Sequence, residues 1–329
     1  MLTTSRRTLL AATACAALGA ALPALAQNGA SSWPQQPLKF VVPFTPGSGT
    51  DVMARTVGQE LEKALKQPVV VENKPGAGGT VGASQVATTA PDGTTVLIHS
   101  AGHVANAALY PQLKYDTLKD FTPVTMLAAL PNVLVTAPGK DFKSVQDLVA
   151  KARSQPGKFM YASAGNGSAT HMNAEKFRAA VGVEANHIPF KGTPEALNEV
   201  MAGRIDWFFA PLVSALPLIK DGKLVALAVG TPKRSPALPQ VPTTLEAGFA
   251  DSDYTFWVGM FVPSRTPADV LAKLHAETVK AMRSDGVRER LEKLGAEVMA
   301  GPQPEFAALV QREVGQSAAL IKKVGMKID

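Results

Sequence analysis

LKFVVPFTPGSGTDVMAR, residues 38–55, passes from a β-branched run through a Pro/Gly turn into an amphipathic helix. Phe40, Val41 and Val42 predict a buried strand, and Pro43 and Pro46 stop it. Gly47 and Gly49 permit dihedrals that other residues avoid, and Thr50 or Asp51 is placed to cap the helix that follows. A helix N-terminus offers unpaired N–H donors and the positive end of the helix dipole, so the turn gathers several backbone donors in one place. Taken alone, this strand-loop-helix is either a solvated βα connection or a cradle for an anion.

The helix is expected over 49–66, where Met53, Val57, Leu61 and Leu65 recur at helical spacing and give it one apolar face. A short strand at 69–71 leads to a glycine run at 75–79, a helix at 82–89 and a strand at 96–98. Ser100 and Ala101 follow that strand, so another βα turn opens in the same direction as the first. Strand-like segments at 120–127 and 133–136 bracket Pro131. Beyond it, Ser144 and Asp147 form a capping box, and a strand at 159–162 runs into a second small-residue loop, 163–168, followed by a helix carrying Met172, Phe177 and Val181. Strands at 187–190, 205–209 and 224–229 alternate with helices at 194–202 and 212–219. Residues 231–250 are Pro-rich and aperiodic, a long surface connection. A strand at 254–262 contains Trp257 and Gly259, and everything after it reads as helical. Those last helices have no strands of their own to cover, so they are expected to pack back on the first sheet. The first domain is then discontinuous, with crossings near Pro131 and Tyr254.

Two α/β lobes joined by two crossings, each presenting a small-residue loop before a helix, form a ligand clamp that closes by hinge motion. The 329 residues, 46% hydrophobic and 18% charged, suit two packed domains. The first 26 residues stand apart: Arg6 and Arg7 precede an apolar run at 9–22 that ends in Ala24, Leu25 and Ala26, a secretory signal cleaved after Ala26. Ser5 to Leu9 also resembles a twin-arginine signal, so either export route stays open. The only cysteine, Cys15, lies inside the signal, which leaves the mature chain without disulfide or thiolate chemistry. No later segment is long enough to span a bilayer, and no membrane insertion of the mature chain is expected. Cleavage lowers the formal charge from +6 to +4, since the signal carries two arginines and no acidic residue. The remaining charges are scattered without a Lys/Arg block, which argues against nucleic acid. Residues 27–36 form a polar leader expected to be mobile.

Pro43 to Asp51 with Ala54 and Arg55 match the block PFxPGGxxDxxAR, and residues 70–79 match VVENKPGAGG. Pro91, Asp92, Gly93 and Asn106, Leu109, Tyr110 match the next landmarks. Tyr161, Ser163, Gly165, Gly167, Ser168 and His171 match YxSxGxGSxxH, residues 187–192 match HVPYKG, and Trp257 with Gly259 matches WxG. On these blocks the chain resembles the Bug family, the extracytoplasmic receptors of tripartite tricarboxylate transporters, over essentially its whole mature length. It departs at Ser48 for the second glycine of PGG, at Thr94 and Phe190 for tyrosines, and at Ala107 or Ala108 for the proline of NPxLY.

The resemblance implies an α/β, two-lobed type II periplasmic-binding-protein fold, with lobe 1 formed by 37–131 and 255–329 and lobe 2 by 132–254. It also implies a small carboxylated ligand between the lobes, no cofactor, membrane transporter subunits as partners, a periplasmic address and a monomer. It singles out Phe44, Thr45, Ser48, Gly49 and Thr50 on one side and Ala164, Gly165, Ser168 and Thr170 on the other, contacting the ligand largely through backbone N–H groups and waters. Ser100 and Ala101, at another strand end of lobe 1, join them. Backbone donors satisfy a carboxylate's lone pairs without a charged partner that must be desolvated. Ser48 adds a hydroxyl donor to the loop.

Asp51 reads as a cap or a water anchor, and His171, one turn into its helix, as a packed or capping residue. His99 and His103 straddle a strand-loop boundary without a third ligand, so no metal is expected. Asp206, inside the strand 205–209, either faces the cleft and selects a donor group on the ligand or ends strand pairing. There is no GxSxG elbow, phosphate loop or HExxH. A hydrolase using Ser168 and His171 lacks a third member and an oxyanion partner, and no enzyme is expected. A sensor signalling to a histidine kinase stands beside uptake as an alternative role.

Overall fold

The computed structural model describes residues 32–327. The expected signal, its twin-arginine reading and Cys15 lie outside the described residues. Two sheets, each with helices packed against it, form two lobes. The first sheet has six strands in the order β11-β4-β10-β3-β1-β2, where β1 is Leu38–Val42, β2 Val69–Asn73, β3 Thr95–Ser100, β4 Phe121–Ala129, β10 Trp257–Pro263 and β11 Glu297–Val298. β1 runs parallel to β2 and β3, and β10 runs antiparallel to both β3 and β4. The second sheet has the order β7-β6-β8-β5-β9, with β5 Asn132–Thr136, β6 Phe159–Ser163, β7 Ala185–Pro189, β8 Trp207–Pro211 and β9 Val225–Val229.

The chain therefore changes sheet between β4 and β5, through Leu130 and Pro131, and again between β9 and β10. At the second change Tyr254 N–H donates to Gly230 O at 2.7 Å. β11 was not expected, since everything after β10 read as helical. Only two residues long, it pairs with β4 and carries no period-2 signature that a sequence could reveal.

Helix α1, Gly49–Leu65, covers the first sheet with Met53, Val57 and Leu61 fully buried, and Lys66 ends it in the left-handed conformation. In the second sheet, side-chain alternation fills two cores at once. Val133, Val135 and Phe208 enter one, and Leu134, Trp207 and Phe209 enter the other. Trp33 is also buried and donates its indole N–H to Asp92 O at 2.9 Å, so residues 32–36 are held against lobe 1 and are not the loose leader expected.

The C-terminal helices α8 (Ala268–Met282), α9 (Asp285–Lys293) and α10 (Gln303–Val324) belong to the first lobe: α8 packs on α1 and β4, and α10 on β4. α10 is seated by Trp257, whose indole donates to Glu313 Oε2 at 2.7 Å, and by Phe306, whose ring stands edge-on to Trp257. Gly259 makes that seat possible, because a Cβ there would lie 2.2 Å from Phe306 Cζ. Gly259→Ala is therefore expected to destabilise the protein by about 1–3 kcal/mol through overpacking. Urea denaturation of the variant beside the parent protein checks this, and an unchanged midpoint would contradict the packing account.

Candidate ligand-binding cleft

After β1 the chain turns at Pro43–Ser48, with Gly47 at φ +85°. Asp51 holds this loop from inside α1. Its Oδ2 accepts Gly47 N–H at 2.9 Å, and Arg55 Nε donates to both its oxygens. Asn73, from the end of β2, donates to Phe44 O and to Asp51 Oδ1, each at 2.9 Å. Burial alone would raise the Asp51 carboxyl, but the donors Arg55, Gly47 and Asn73 outweigh it and hold the group below its usual range. The distant aspartate, arginine and asparagine of the first two sequence blocks thus form one clamp on the loop backbone. Neither Thr50 nor Asp51 is the N-cap. That position is Ser48, and its side chain makes no cap bond. Its Oγ instead accepts Thr193 N–H at 3.1 Å, across the cleft from α6 (Thr193–Met201).

On the other lobe, the loop after β6 enters α5, Ala169–Val181. Ser168 caps that helix by accepting His171 N–H, and Thr170 Oγ1 accepts Ala164 N–H at 2.9 Å and bonds Ser168 Oγ at 3.0 Å. His171 Nδ1 accepts Gly167 N–H at 3.1 Å. Its ring stacks on His187 with centroids 3.7 Å apart, and His187 Nε2 bonds Ser163 Oγ at 2.6 Å. Both histidines hold the loop. The Ser168 hydroxyl meets the backbone of His171 rather than its ring, so the pair has no nucleophile–base geometry.

Between the loops lies a cavity of about 10 Å³, room for one water-sized group. Phe44, Ser48, Gly49, Thr50, Ser100, Ala164, Ser168 and Thr170 line it, with Ala169, Thr193, Pro211 and Phe256 completing the wall. No charged side chain is among them. Thr50 Oγ1 is buried there without a hydrogen-bond partner. Of the other expected residues, Thr45 donates to Glu195 Oε2 at 2.9 Å across the lobes, and Gly165 lines a neighbouring chamber. Ala101 spends its N–H on Trp257 O.

Asp206 does not face the cleft. β8 starts one residue after it, at the opposite end of the strand from Pro211, and Asp206 pairs with Lys140 Nζ at 2.7 Å while accepting Met160 N–H at 2.8 Å. A polar residue ahead of an apolar strand was read two positions too far into it. Thr193 was missed, although Thr193-Pro194 has a recognisable helix start, with proline in the first turn. Pro211 and Phe256 lie at sheet ends that meet only on folding and carry no local sequence signal.

The model of the tripartite tricarboxylate transporter family receptor matches residues 53–326. The chain belongs to that family. BugT of Bordetella pertussis is 32% identical to it over 301 residues, 91% of this chain and 92% of that protein. The Rhodopseudomonas palustris protein Rpa4515, solved with adipate, superposes at a TM-score of 0.87 with 32% identity, over 90% of this chain and 99% of that one. MatC (Rpa3494) from the same organism, with bound malate, superposes at 0.84 with 35% identity, over 88% and 100%. The Bug resemblance and the two-lobed fold are thereby borne out, and the family is one of receptors.

Four histidines of this family member sit where charge is unwelcome. Burial pulls His99, His171 and His187 down to about 3 and His103 well below its usual value. Each is neutral when folded but takes up a proton when unfolded below its ordinary value of 6.5. The unfolded state then binds more protons, so the stability present above that value is lost as pH falls toward 3. The free energy of unfolding is expected to drop between neutrality and about pH 5 by up to about 2 kcal/mol per histidine. Denaturant titrations at fixed pH values measure this, and a flat profile would refute the neutral assignment.

Proposed function

We propose that this chain is a periplasmic receptor that closes its lobes on a small carboxylic acid and delivers it to a tripartite tricarboxylate-type transporter. The observation that carries this reading is the Thr50 hydroxyl, buried and unpartnered, in an uncharged cavity at the first turns of α1 and α5. Those first turns supply N–H donors and positive dipole ends, and the Ser48 hydroxyl, already accepting from Thr193, keeps its proton to donate. A carboxylate brings four lone pairs and one negative charge, the complement of that set. Adipate and malate, held by the two solved relatives, are both carboxylates. We assign the lobes to 37–131 with 255–329 and to 132–254, the division at which the chain changes sheet. The amino-terminal signal supplies the export, and among the described residues no helix is long and apolar enough to cross a membrane.

A thermal-shift screen over mono-, di- and tricarboxylates is expected to find acids that raise the melting temperature by mass action. Thr50→Val should weaken the best of them by about 1 kcal/mol, the worth of one neutral hydrogen bond. Shifts confined to neutral or cationic compounds would overturn the reading. Closure has its own test at Gly78, which sits at φ +59° with Asn166 O 1.8 Å from where a Cβ would be. Gly78→Ala should hold the lobes apart, lowering affinity for all ligands together and enlarging the ligand-bound radius of gyration in solution scattering. Full affinity in that variant would mean that the closed contact is dispensable.

A further inference from the structure

The two lobes also meet through apolar side chains, away from the wall of the inner cavity. Helix α3, Gly102–Leu109, follows β3 on lobe 1 and packs against α5 of lobe 2. The approach is close. A Cβ on Gly102 would lie 2.9 Å from Gly167 O, and one on Gly167 would lie 2.8 Å from Leu109 Cδ2. Beside these glycines, Ala105 and Leu109 of α3, Met172 of α5 and Ile321 of α10 form one buried cluster. Leu320, Met326 and Tyr254 pack around it, Tyr254 coming from the second sheet change. Helix α10 is thus seated on the first lobe by Phe306 and Glu313 and ends in a cluster that holds a methionine of the other lobe.

Opening the cleft affects this cluster and the polar contacts between the lobes differently. The Ser48–Thr193, Thr45–Glu195 and Tyr110–Asn166 bonds exchange for bonds to water, so each contributes little net. The cluster has no such substitute, because drawing α3 and α10 away from Met172 returns buried apolar surface to water. Its members all belong to this chain, and none lines the inner cavity. The stabilisation it gives is therefore the same in the empty and in the occupied closed state. Resting on the receptor reading above, we propose that this cluster is a latch that keeps the empty receptor mostly closed and sets the rates of capture and release rather than the affinity. A contact present equally in both closed states does not discriminate between them. Weakening it opens the empty protein more often, which speeds entry, and opens the loaded protein more often by the same factor, which speeds escape.

Met172→Ala and Ile321→Ala each remove a latch side chain, one on each lobe, and Met172→Leu keeps the volume. In solution scattering without ligand, the parent protein should show the radius of gyration of the closed structure. Each alanine variant should be larger, and Met172→Leu should match the parent. In stopped-flow titrations with adipate and with malate, the association and dissociation rate constants of each alanine variant should both rise by about tenfold, with Kd held within about twofold. A common response from variants on separate lobes distinguishes the latch from a local loss of fold. An empty parent protein as extended as the alanine variants, or a release rate that rises alone and carries Kd with it, overturns the latch, since the cluster would then form only behind a ligand. If no carboxylate of the thermal-shift series binds, the receptor reading fails with the kinetic part. The scattering comparison still decides whether the cluster holds the empty lobes together.

Discussion

The bond between Ser48 Oγ and the Thr193 N–H joins residues 145 positions apart, and the closed cleft is organised around it. A serine ahead of a helix ordinarily turns its hydroxyl back onto its own first turn. Here the hydroxyl is drawn to the opposite lobe, so the start of α1 is left without a side-chain cap just where the cavity begins. The same approach requires small groups throughout. A Cβ on Gly192 would lie 1.9 Å from Thr45 Oγ1, and one on Gly49 would lie 3.1 Å from Pro211 Cβ. Glycines in these loops permit the two backbones to meet, and the meeting brings the donors to one point.

On the receptor function proposed above, an uncharged cavity is an economical way to hold an anion that must later be released. Burying an arginine against a carboxylate requires desolvating both charges, and opening the site then leaves an unpaired cation. Helix termini and hydroxyls are stable in water and against the ligand alike. The rigidity they need comes from a layer behind them: Asp51, Arg55 and Asn73 on one lobe, and the stacked His171 and His187 with Ser163 on the other.

Local periodicity made most of the architecture legible. The apolar spacing of α1 and the small-residue loop before α5 follow from patterns a few residues long, and the two sheet changes from the order of strands and helices along the chain. The loops of the inner cavity were legible for the same reason, since strand, small residues and helix start are adjacent in sequence. What escaped were features created by packing. β11 is too short to have a pattern, Phe256 and Pro211 reach the cavity only through the tertiary fold, and Asp206 was displaced because an apolar strand looks alike over a shift of two residues. His171 shows the opposite case: its place in a helix first turn was readable, but its partner His187 was not, because that stack spans separate elements.

The placement of β10 bears on how the molecule can be built as it is synthesised. In the first sheet the strands on either side of β4 are β10 and β11, and β3 reaches β4 through β10. The strand that joins the halves of this sheet starts at Trp257, after the whole second sheet has been made. Until then β4 has no ladder partner, and β3 presents an open edge next to the β1–β2 pair, the kind of edge that invites wrong pairing. The second sheet, by contrast, is contiguous from Asn132 to Val229 and has all its strands before the first can be closed. A chain truncated before Trp257 would therefore keep every strand of one sheet and lose the keystone of the other.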